Sequence, residues 1–288
     1  MALPTMAPGY TRKTTVDWCR RIDDSPFASV SAGERMTFPN PELFTTLAAA
    51  AALTDRVRVM ANVVVLPWHS VGFVTKQLLT IEQLAPGRLV LGVGVGGRQE
   101  DYATVGVPFR SRHARLDANV AELRRLWSGE IPHGATAPLG PRPTDPAGPP
   151  LLAGALGPKA MARAAQWADG VTGFSVGGVA EEMAGTFQLA RDAWRDAGRA
   201  ESPRLVTGCF FTMGPDADEA LRENVRAYLH VFGDSFADAM VDTLAASSPE
   251  AVRQIIDDAA AAGADELVLV PMSTDPACLD EAIDVVNG

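Results

Sequence analysis

A glycine-rich stretch from Arg88 to Glu100, with the sequence RLVLGVGVGGRQE, most constrains the fold of this chain. Its apolar first half is typical of a strand that is buried on both faces, as central parallel strands are. The glycines that follow remove side chains where a ligand or another backbone must come close. Arg98, Glu100 and Asp101 come next. Because α/β folds carry their chemistry at the carboxyl ends of parallel strands, this stretch predicts a functional site.

The same glycines satisfy the G-x-G-x-x-G pattern of dinucleotide-binding folds through Gly92, Gly94 and Gly97. That pattern requires a helix directly after the glycines and an acidic residue at the end of a second strand. Residues 99–107 make a poor start for a helix, and the stretch follows earlier strands instead of opening the fold. We therefore favour a different α/β fold and leave open that the glycines serve packing alone.

Length, charge and cysteine spacing exclude several classes of protein. The 288 residues suit one eightfold barrel, which typically needs about 250 residues. A net charge of −10 without a basic run argues against nucleic acid or an anionic membrane as a partner. Cys19, Cys209 and Cys278 lie far apart, which predicts neither a metal site nor a disulfide framework. With no signal-peptide pattern, we expect a cytoplasmic protein.

Strands and helices alternate along the chain, which predicts a (β/α)₈ TIM barrel forming a single domain over residues 1–288. The count reaches about eight parallel strands if Ala2 and Leu3 form the stub of a first strand. An open, doubly wound sheet is the alternative. Residues 129–150 are rich in proline and glycine without periodicity, so we interpret them as a loop inserted over the barrel mouth at the C-terminal face.

Polar residues at two strand ends are candidates for the site. Glu34 and Arg35 follow a predicted strand and are candidates for substrate contact, with a surface ion pair as the alternative. Asn62 is a polar residue inside the otherwise apolar strand 57–66. An unpaired buried amide costs about 1–3 kcal/mol, so we expect Asn62 to have a hydrogen-bond partner.

A second candidate is the turn made by Gly154, Ala155, Leu156 and Gly157, which leads from a short strand into a helix starting at Pro158. The free amides at such a helix start, together with the helix dipole, favour an anion. The turn therefore predicts a phosphate site, and an ordinary strand-to-helix turn is the alternative.

Three segments resemble a known family. They are residues 57–67, which end in VVVLP, then QLLTIEQLAPGRLVLGVGVGGRQEDYATVGV at 77–107, and PLLAGALGPKAMARAAQWADGV at 150–171. Together they look like the bacterial-luciferase-like flavin and deazaflavin oxidoreductases. The middle segment is the most specific, because the P-G-R strand, the glycine mouth and an E-x-Y-x-x-x-G tail occur in the right order. The resemblance covers the chain from about Pro39 onward.

The resemblance implies a barrel that holds coenzyme F420 or FMN at the strand C-termini. The strand matching 57–66 carries a bulge with a non-prolyl cis peptide under the ring, here at about Asn62 and Val63. The family's phosphate site matches residues 154–157, and Ser175 matches a strand-end position that helps to hold the phosphate. Gly94 and Gly96, at the glycine-rich strand end, are predicted to contact the cofactor as well. Because the family is commonly dimeric, we expect a homodimer that uses the alanine-rich helix after residue 41.

We expect an enzyme that transfers a hydride between coenzyme F420 and a small organic substrate. His69, Glu34 and Glu100 are the candidate proton donors, although His69 also suits a solvent-facing loop. Some relatives carry an Asp-His pair where this chain has Glu34 and Arg35, so their sugar-phosphate chemistry is not carried over. An FMN-dependent monooxygenase and a non-catalytic cofactor-binding or partner subunit of the same fold are the alternatives.

Overall fold

The computed structural model describes residues 1–288 and contains seven parallel strands that are adjacent in sequence order. The strands are β1 (Ser29–Ala32), β2 (Arg58–Val64), β3 (Leu89–Gly94), β4 (Leu151–Gly154), β5 (Gly170–Thr172), β6 (Arg204–Phe211) and β7 (Glu266–Pro271). The helices are α1 (Arg12–Asp23), α2 (Leu43–Leu53), α3 (Val71–Leu84), α4 (Gln99–Thr104), α5 (Arg112–Trp127), α6 (Pro158–Ala164), α7 (Ala180–Asp196), α8 (Ala217–Leu229), α9 (Asp234–Val241), α10 (Pro249–Ala262) and α11 (Pro276–Asn287). The predicted alternation is confirmed.

The N-terminal residues close the sheet into a barrel. Ala2 forms a parallel bridge with Ser31 of β1, and the amide of Leu3 donates to the carbonyl of Ser31 at 2.8 Å. On the other side, the amide of Ala2 donates to the carbonyl of Leu269 in β7 at 2.8 Å. The predicted stub therefore occupies the eighth strand position. The sequential strand order excludes the doubly wound alternative, in which the order reverses at a switch point.

Side-chain size divides the barrel interior into a filled half and a hollow half. Successive residues of a strand point to opposite faces, so every second residue faces the interior. The filled half contains Met60, Val90, Leu152, Val206 and Val268. Two residues closer to the C-terminal ends, the same strands carry Asn62, Gly92, Gly154, Gly208 and Val270. Because three of these five positions are glycine, the barrel is hollow at its mouth.

Helices α8 and α9 are an insertion on the C-terminal face. They lie between β6 and α10, and α10 packs on α7 as the barrel helix that follows β6. Leu221, Val225 and Leu229 of α8 pack with Phe210, at the mouth end of β6. The segment 212–248 therefore covers part of the mouth.

The prediction that residues 129–150 cover the mouth is wrong. This segment leads from the end of α5 into the first residue of β4, and helix-to-strand connections lie at the end of a barrel opposite its mouth. Lys76 of α3 donates to the carbonyl of Gly140, which holds the segment against the outer helices. None of its residues lines the cavity described below.

Helix length also bears on membranes. The longest helix, α7, has 17 residues, and no helix combines the length and the apolar character needed to cross a bilayer.

Candidate active site

Strand β2 is irregular where it reaches the mouth. Its pairing with β3 shifts register between Ala61 and Val64, and the Asn62–Val63 peptide bond is cis. The bulge and the cis peptide bond implied by the family resemblance are therefore present at the expected residues. Oδ1 of Asn62 accepts a hydrogen bond from Oγ1 of Thr172 at 2.8 Å. This confirms the expected hydrogen-bond partner for the half-buried amide of Asn62, and the partner belongs to β5.

The glycines of the mouth make room for a valine of the irregular strand. Ideal Cβ atoms at Gly92, Gly94 and Gly154 would lie 3.2, 3.1 and 3.3 Å from the methyl groups of Val63. Such distances are tighter than ordinary contacts, so larger residues at these positions would displace Val63. Of the two β3–α4 glycines that we predicted at the cofactor, Gly96 lines the cavity, whereas Gly94 does not. Gly94 therefore serves packing, an alternative that the sequence left open.

A cavity of about 440 Å³ opens above this part of β2. Fifteen of its 25 lining residues are hydrophobic, which is typical of sites for small molecules. Gly33, Asn62 and Val63 belong to the lining, and an ideal Cβ at Gly33 would lie only 3.0 Å from the carbonyl oxygen of Asn62. Ser31 also lines the cavity, and its buried Oγ has no hydrogen-bond partner. The cavity thus combines an open floor with a polar atom free to bind a ligand.

Glu34 is a buried carboxylate at the wall of this cavity. Its side chain is 5% exposed and lines the cavity. Oε2 accepts a hydrogen bond from the amide of Val65 at 2.7 Å, and Oε1 lies 2.8 Å from Nε2 of His69. His69 itself is 18% exposed and is not part of the lining. Glu34 therefore faces the cavity, and His69 lies between Glu34 and the protein surface.

His69 links Glu34 to Trp68 through one ring nitrogen. Nε2 of His69 lies 2.8 Å from Oε1 of Glu34 and 2.8 Å from Nε1 of Trp68. A ring nitrogen carries either a proton or a lone pair, so Nε2 can donate to Glu34 or accept from Trp68 but cannot do both. The indole N–H of Trp68 can only donate, so Glu34 and His69 are the two alternative positions for one proton beside the cavity, as general acid–base catalysis requires.

Glu100, the third candidate proton donor, lies away from this group. Its side chain is 52% exposed and does not line the cavity. Its Oε1 accepts a hydrogen bond from Oγ1 of Thr37 at 2.8 Å and lies 3.8 Å from Nη2 of Arg35. Of the three candidates, the structure brings only Glu34 and His69 together.

Arg35, which we proposed for substrate contact, is buried beneath the mouth. Its side chain is 2% exposed and does not line the cavity. The guanidinium stacks on the ring of Phe38 at 4.6 Å and donates to the carbonyl of Tyr228 at 3.2 Å. Burial and then the nearby charge of Arg98 lower the pKa of Arg35. Arg35 therefore fastens the β1–α2 connection to the inserted helix α8 and is neither a substrate contact nor a surface ion pair.

The predicted phosphate turn lies at the edge of the cavity. β4 ends at Gly154, and α6 begins at Pro158 with Gly157 as its N-cap. Gly154 and Leu156 line the cavity, and Leu156 is 65% exposed, whereas Ala155 is buried. No atom lies within 4 Å of an ideal Cβ at Gly157, so the start of the helix is open to a ligand.

The polar side chains around this turn are mostly engaged within the protein. Oγ of Ser175 donates to Oε2 of Glu182 at 2.6 Å and accepts from the amide of Val179 at 2.8 Å. Arg163 forms an ion pair with a neighbouring helix, and Lys159 is exposed. An anion at the turn would therefore be held mainly by backbone amides.

An aromatic wall on one side of the cavity was missed by the sequence analysis. Its members are Phe174, Phe210, Tyr228, Phe232 and Phe236. Phe174 packs edge-on against Phe210 with ring centroids 4.7 Å apart, and Phe210 packs against Tyr228 at 5.5 Å. Phe232 and Phe236 are 41% and 46% exposed. The available signal for this wall in the sequence was Phe232 and Phe236, two phenylalanines four residues apart.

A family model described as luciferase-like monooxygenase matches residues 3–268. Among curated relatives, 4-hydroxyprotoasukamycin monooxygenase of Streptomyces nodosus subsp. asukaensis is 28% identical over 212 residues, or 67% of this chain and 56% of that protein. The matches to the first curated relatives span between 56% and 62% of the relatives' own length.

Two solved structures show the same fold. An F420-dependent secondary alcohol dehydrogenase in complex with an F420–acetone adduct has a TM-score of 0.79 at 18% identity, covering 96% of this chain and 93% of that chain. The oxygenating constituent of 3,6-diketocamphane monooxygenase from Pseudomonas putida, in complex with FMN, has a TM-score of 0.74 at 15% identity, covering 99% and 95%. At these identities the likeness shows the fold alone. Because the family model spans nearly the whole chain, the chain belongs to the luciferase-like monooxygenase family.

Proposed function

We propose that this protein is an oxidoreductase that transfers a hydride between the deazaflavin coenzyme F420 and a small organic substrate. The observation that carries the proposal is the buried carboxylate of Glu34, which lines the cavity and contacts His69. Hydride transfer between a carbonyl and an alcohol also moves a proton at the oxygen atom. A carboxylate held at the cavity wall can accept or donate that proton.

The residues at the cavity fit such a coenzyme. Gly33, Asn62 and Val63 would carry the planar ring, because they leave an open floor without projecting polar side chains. Oγ of Ser31 lacks a partner and would hydrogen-bond to the ring or to the substrate. The amides of 154–157 would hold the phosphate of the tail, because the hydroxyl of Ser175 is already bonded to Glu182 and Val179. The bound coenzyme supplies the hydride chemistry, for which the side chains alone have no equivalent.

The protein's own contribution is to move a proton and to exclude water. Glu34 holds the proton at Oε1, and His69 can exchange it with solvent because part of its ring is exposed. The aromatic wall would help a bound substrate to exclude water from the cavity, which would strengthen the electrostatic effect of Glu34 on a reacting oxygen.

An FMN-dependent monooxygenase is the second candidate. The observation in its favour is the mainly hydrophobic lining of the cavity, which suits a reaction that must be shielded from water. A relative named as a monooxygenase supports the same possibility. An incomplete first strand would have favoured the non-catalytic alternative, but Ala2 completes the barrel.

Side-by-side titrations with F420 and FMN test the proposal. We expect saturable one-to-one binding of F420, read from its fluorescence, and weaker binding of FMN. The F420-loaded protein should then oxidise one or more members of a panel of small alcohols, read as loss of absorbance of the oxidised coenzyme. Preferential FMN binding with oxygen consumption would favour the monooxygenase, and binding of neither would favour the non-catalytic subunit.

The homodimer remains a prediction. Thr45, Ala48, Ala49 and Ala52 form the outward face of α2, and Phe73 on the adjacent α3 is 67% exposed. We expect the mass of a dimer in light scattering at micromolar concentration and a shift toward monomer in Phe73→Glu.

A further inference from the structure

Arg98 differs from the other partly buried arginines because nothing in the protein satisfies it. Five arginines have a buried Nε without a partner: Arg35, Arg58, Arg98, Arg112 and Arg124. Four of them donate a hydrogen bond through another guanidinium nitrogen. Arg98 makes no hydrogen bond and no ion pair, although an arginine offers five donors. Its Nε is buried without a partner, which costs free energy on folding, and a bound ligand would satisfy this donor together with the free Nη donors.

Arg98 lies at the cavity, with its guanidinium against two rings of the aromatic wall. Arg98 lines the cavity, and its Cζ lies 4.8 Å from the ring centroid of Tyr228 and 4.8 Å from that of Phe232. Stacking on aromatic rings uses the faces of a guanidinium and leaves the donors in its plane free. The rings therefore fix the orientation of Arg98 without neutralising its charge.

The nearby acidic groups are engaged elsewhere. Asp101 accepts a hydrogen bond from the amide of Thr37 at 2.8 Å and lies 4.0 Å from Nε of Arg35. Glu100 lies 3.8 Å from Nη2 of Arg35. The charge of Arg35 is therefore balanced, and that of Arg98 is left over at the mouth of a protein whose net charge is −10. Such an isolated cation attracts anions locally.

We propose that Arg98 binds the anionic group, a carboxylate or a phosphate, of an otherwise apolar substrate at the cavity mouth. This inference deepens the proposed function and rests on it. A planar guanidinium with free donors matches the two oxygens of a carboxylate or phosphate. Phe232 and Phe236, exposed beside it, suit the apolar body of the same molecule. The other source of such an anion is the phosphate of the coenzyme tail, which the experiment must separate from the substrate.

The test compares 3-phenylpropanoate with its neutral amide, 3-phenylpropanamide, by calorimetry on the F420-loaded protein. We expect the anion to bind at least about tenfold more tightly than the amide, as one charge-assisted hydrogen bond provides. Arg98→Gln should abolish this preference, and Arg98→Lys should keep part of it because the charge remains. The F420 dissociation constant of Arg98→Gln should stay within about twofold of the wild-type value.

Arg112→Gln is the matched control, because Arg112 also stacks on an aromatic ring, with Cζ 3.8 Å from the centroid of Phe109, but lies outside the cavity lining. It should retain the preference. Equal affinities for the two probes, a preference that survives in Arg98→Gln, or no binding of the anion up to about 10 mM would overturn the proposal. Loss of F420 affinity in Arg98→Gln with the preference intact would assign Arg98 to the coenzyme tail.

Failure of F420 to bind the wild-type protein is a different result. It would contradict the proposed function, whereas the preference for the anion can still be measured on the protein without coenzyme. Retention of the fold in each variant is checked by circular dichroism and thermal unfolding.

Discussion

At the N-terminal end of the barrel, Glu266 contacts three polar side chains, whereas at the C-terminal mouth the polar groups lie beside open space. Oε2 of Glu266 lies 2.8 Å from Nη2 of Arg58 and 2.6 Å from Nη2 of Arg204, and Oε1 accepts a hydrogen bond from Ser29. At the mouth, Oγ of Ser31 and Nε of Arg98 are buried without a partner. We infer that the polar contacts at the closed end of the barrel stabilise the fold, whereas polar atoms at the open end remain available for ligands.

The largest expected effect concerns activity at the mouth. Glu34→Gln keeps the shape of the side chain but removes its ability to accept a proton, so turnover should fall by about 10²–10⁴-fold. The free energy of unfolding should change by less than about 1 kcal/mol, because the side-chain oxygen of the glutamine still accepts the hydrogen bond from the backbone amide of Val65. Stopped-flow rates of coenzyme reduction and urea denaturation measure the two quantities. An active Glu34→Gln enzyme would contradict the role of Glu34.

The opposite pattern is expected at the closed end. Glu266→Gln leaves two partly exposed arginines without their carboxylate, and losing hydrogen bonds to a charged group costs about 1.5–3 kcal/mol. Turnover of the folded fraction should stay near the wild-type value, because Glu266 does not line the cavity. Urea denaturation read by tryptophan fluorescence checks the first expectation. A loss of stability no larger than that of Glu34→Gln would contradict the stabilising role assigned to the closed end.

The closed end should also respond to acid. Burial raises the pKa of Glu266, but the hydrogen bond from Ser29 and the charge of Arg58 outweigh it, so the pKa lies below its ordinary value. A carboxyl whose pKa is lowered on folding stabilises the protein above the pKa of the unfolded chain, about 4.3, and loses this contribution as the pH falls through its folded value. We expect the stability difference between wild type and Glu266→Gln to shrink below about pH 4. A constant difference between pH 7 and pH 3 would contradict this.

The smallest effect separates two serines of the same strand. Ser29 donates to Glu266, whereas Ser31, two residues along β1, has no partner. Ser29→Ala should therefore cost about 1–2 kcal/mol, and Ser31→Ala should be close to neutral, because it removes an unsatisfied hydroxyl. Urea denaturation of the two variants and the wild type measures both changes in the free energy of unfolding. Equal losses would mean that Ser31 has a stabilising role that its contacts do not explain.

The sequence predicted the features that depend on neighbouring residues. The alternation of strands and helices predicted the barrel, and the stub expected at Ala2 and Leu3 occupies the eighth strand position. The family resemblance indicated the irregular strand at Asn62 and Val63. The composition of residues 129–150 does not indicate which end of the barrel they cover. Their place in the chain does, because a segment that follows a helix and precedes a strand lies at the end opposite the mouth.

Contacts across the mouth could not be predicted in the same way. Arg35 and Tyr228 are 193 residues apart, and they meet only because the inserted helix α8 folds over the barrel. Whether Glu34 faces the cavity while Arg35 is buried depends on the path of the loop after β1, which no periodicity encodes. Side chains carried by loops from different strands therefore require the three-dimensional structure.

The proposed function requires a coenzyme that lies over Asn62. A substitution that fills this space with a side chain tests the requirement. Gly33→Leu would place a side chain beside the carbonyl oxygen of Asn62, and Gly72→Leu is the control, because no atom lies within 4 Å of an ideal Cβ there. Titration of F420 into both variants and the wild type, followed by fluorescence, should show binding at least about tenfold weaker in Gly33→Leu alone, as overpacking implies. Equal binding of F420 by all three proteins would contradict the account.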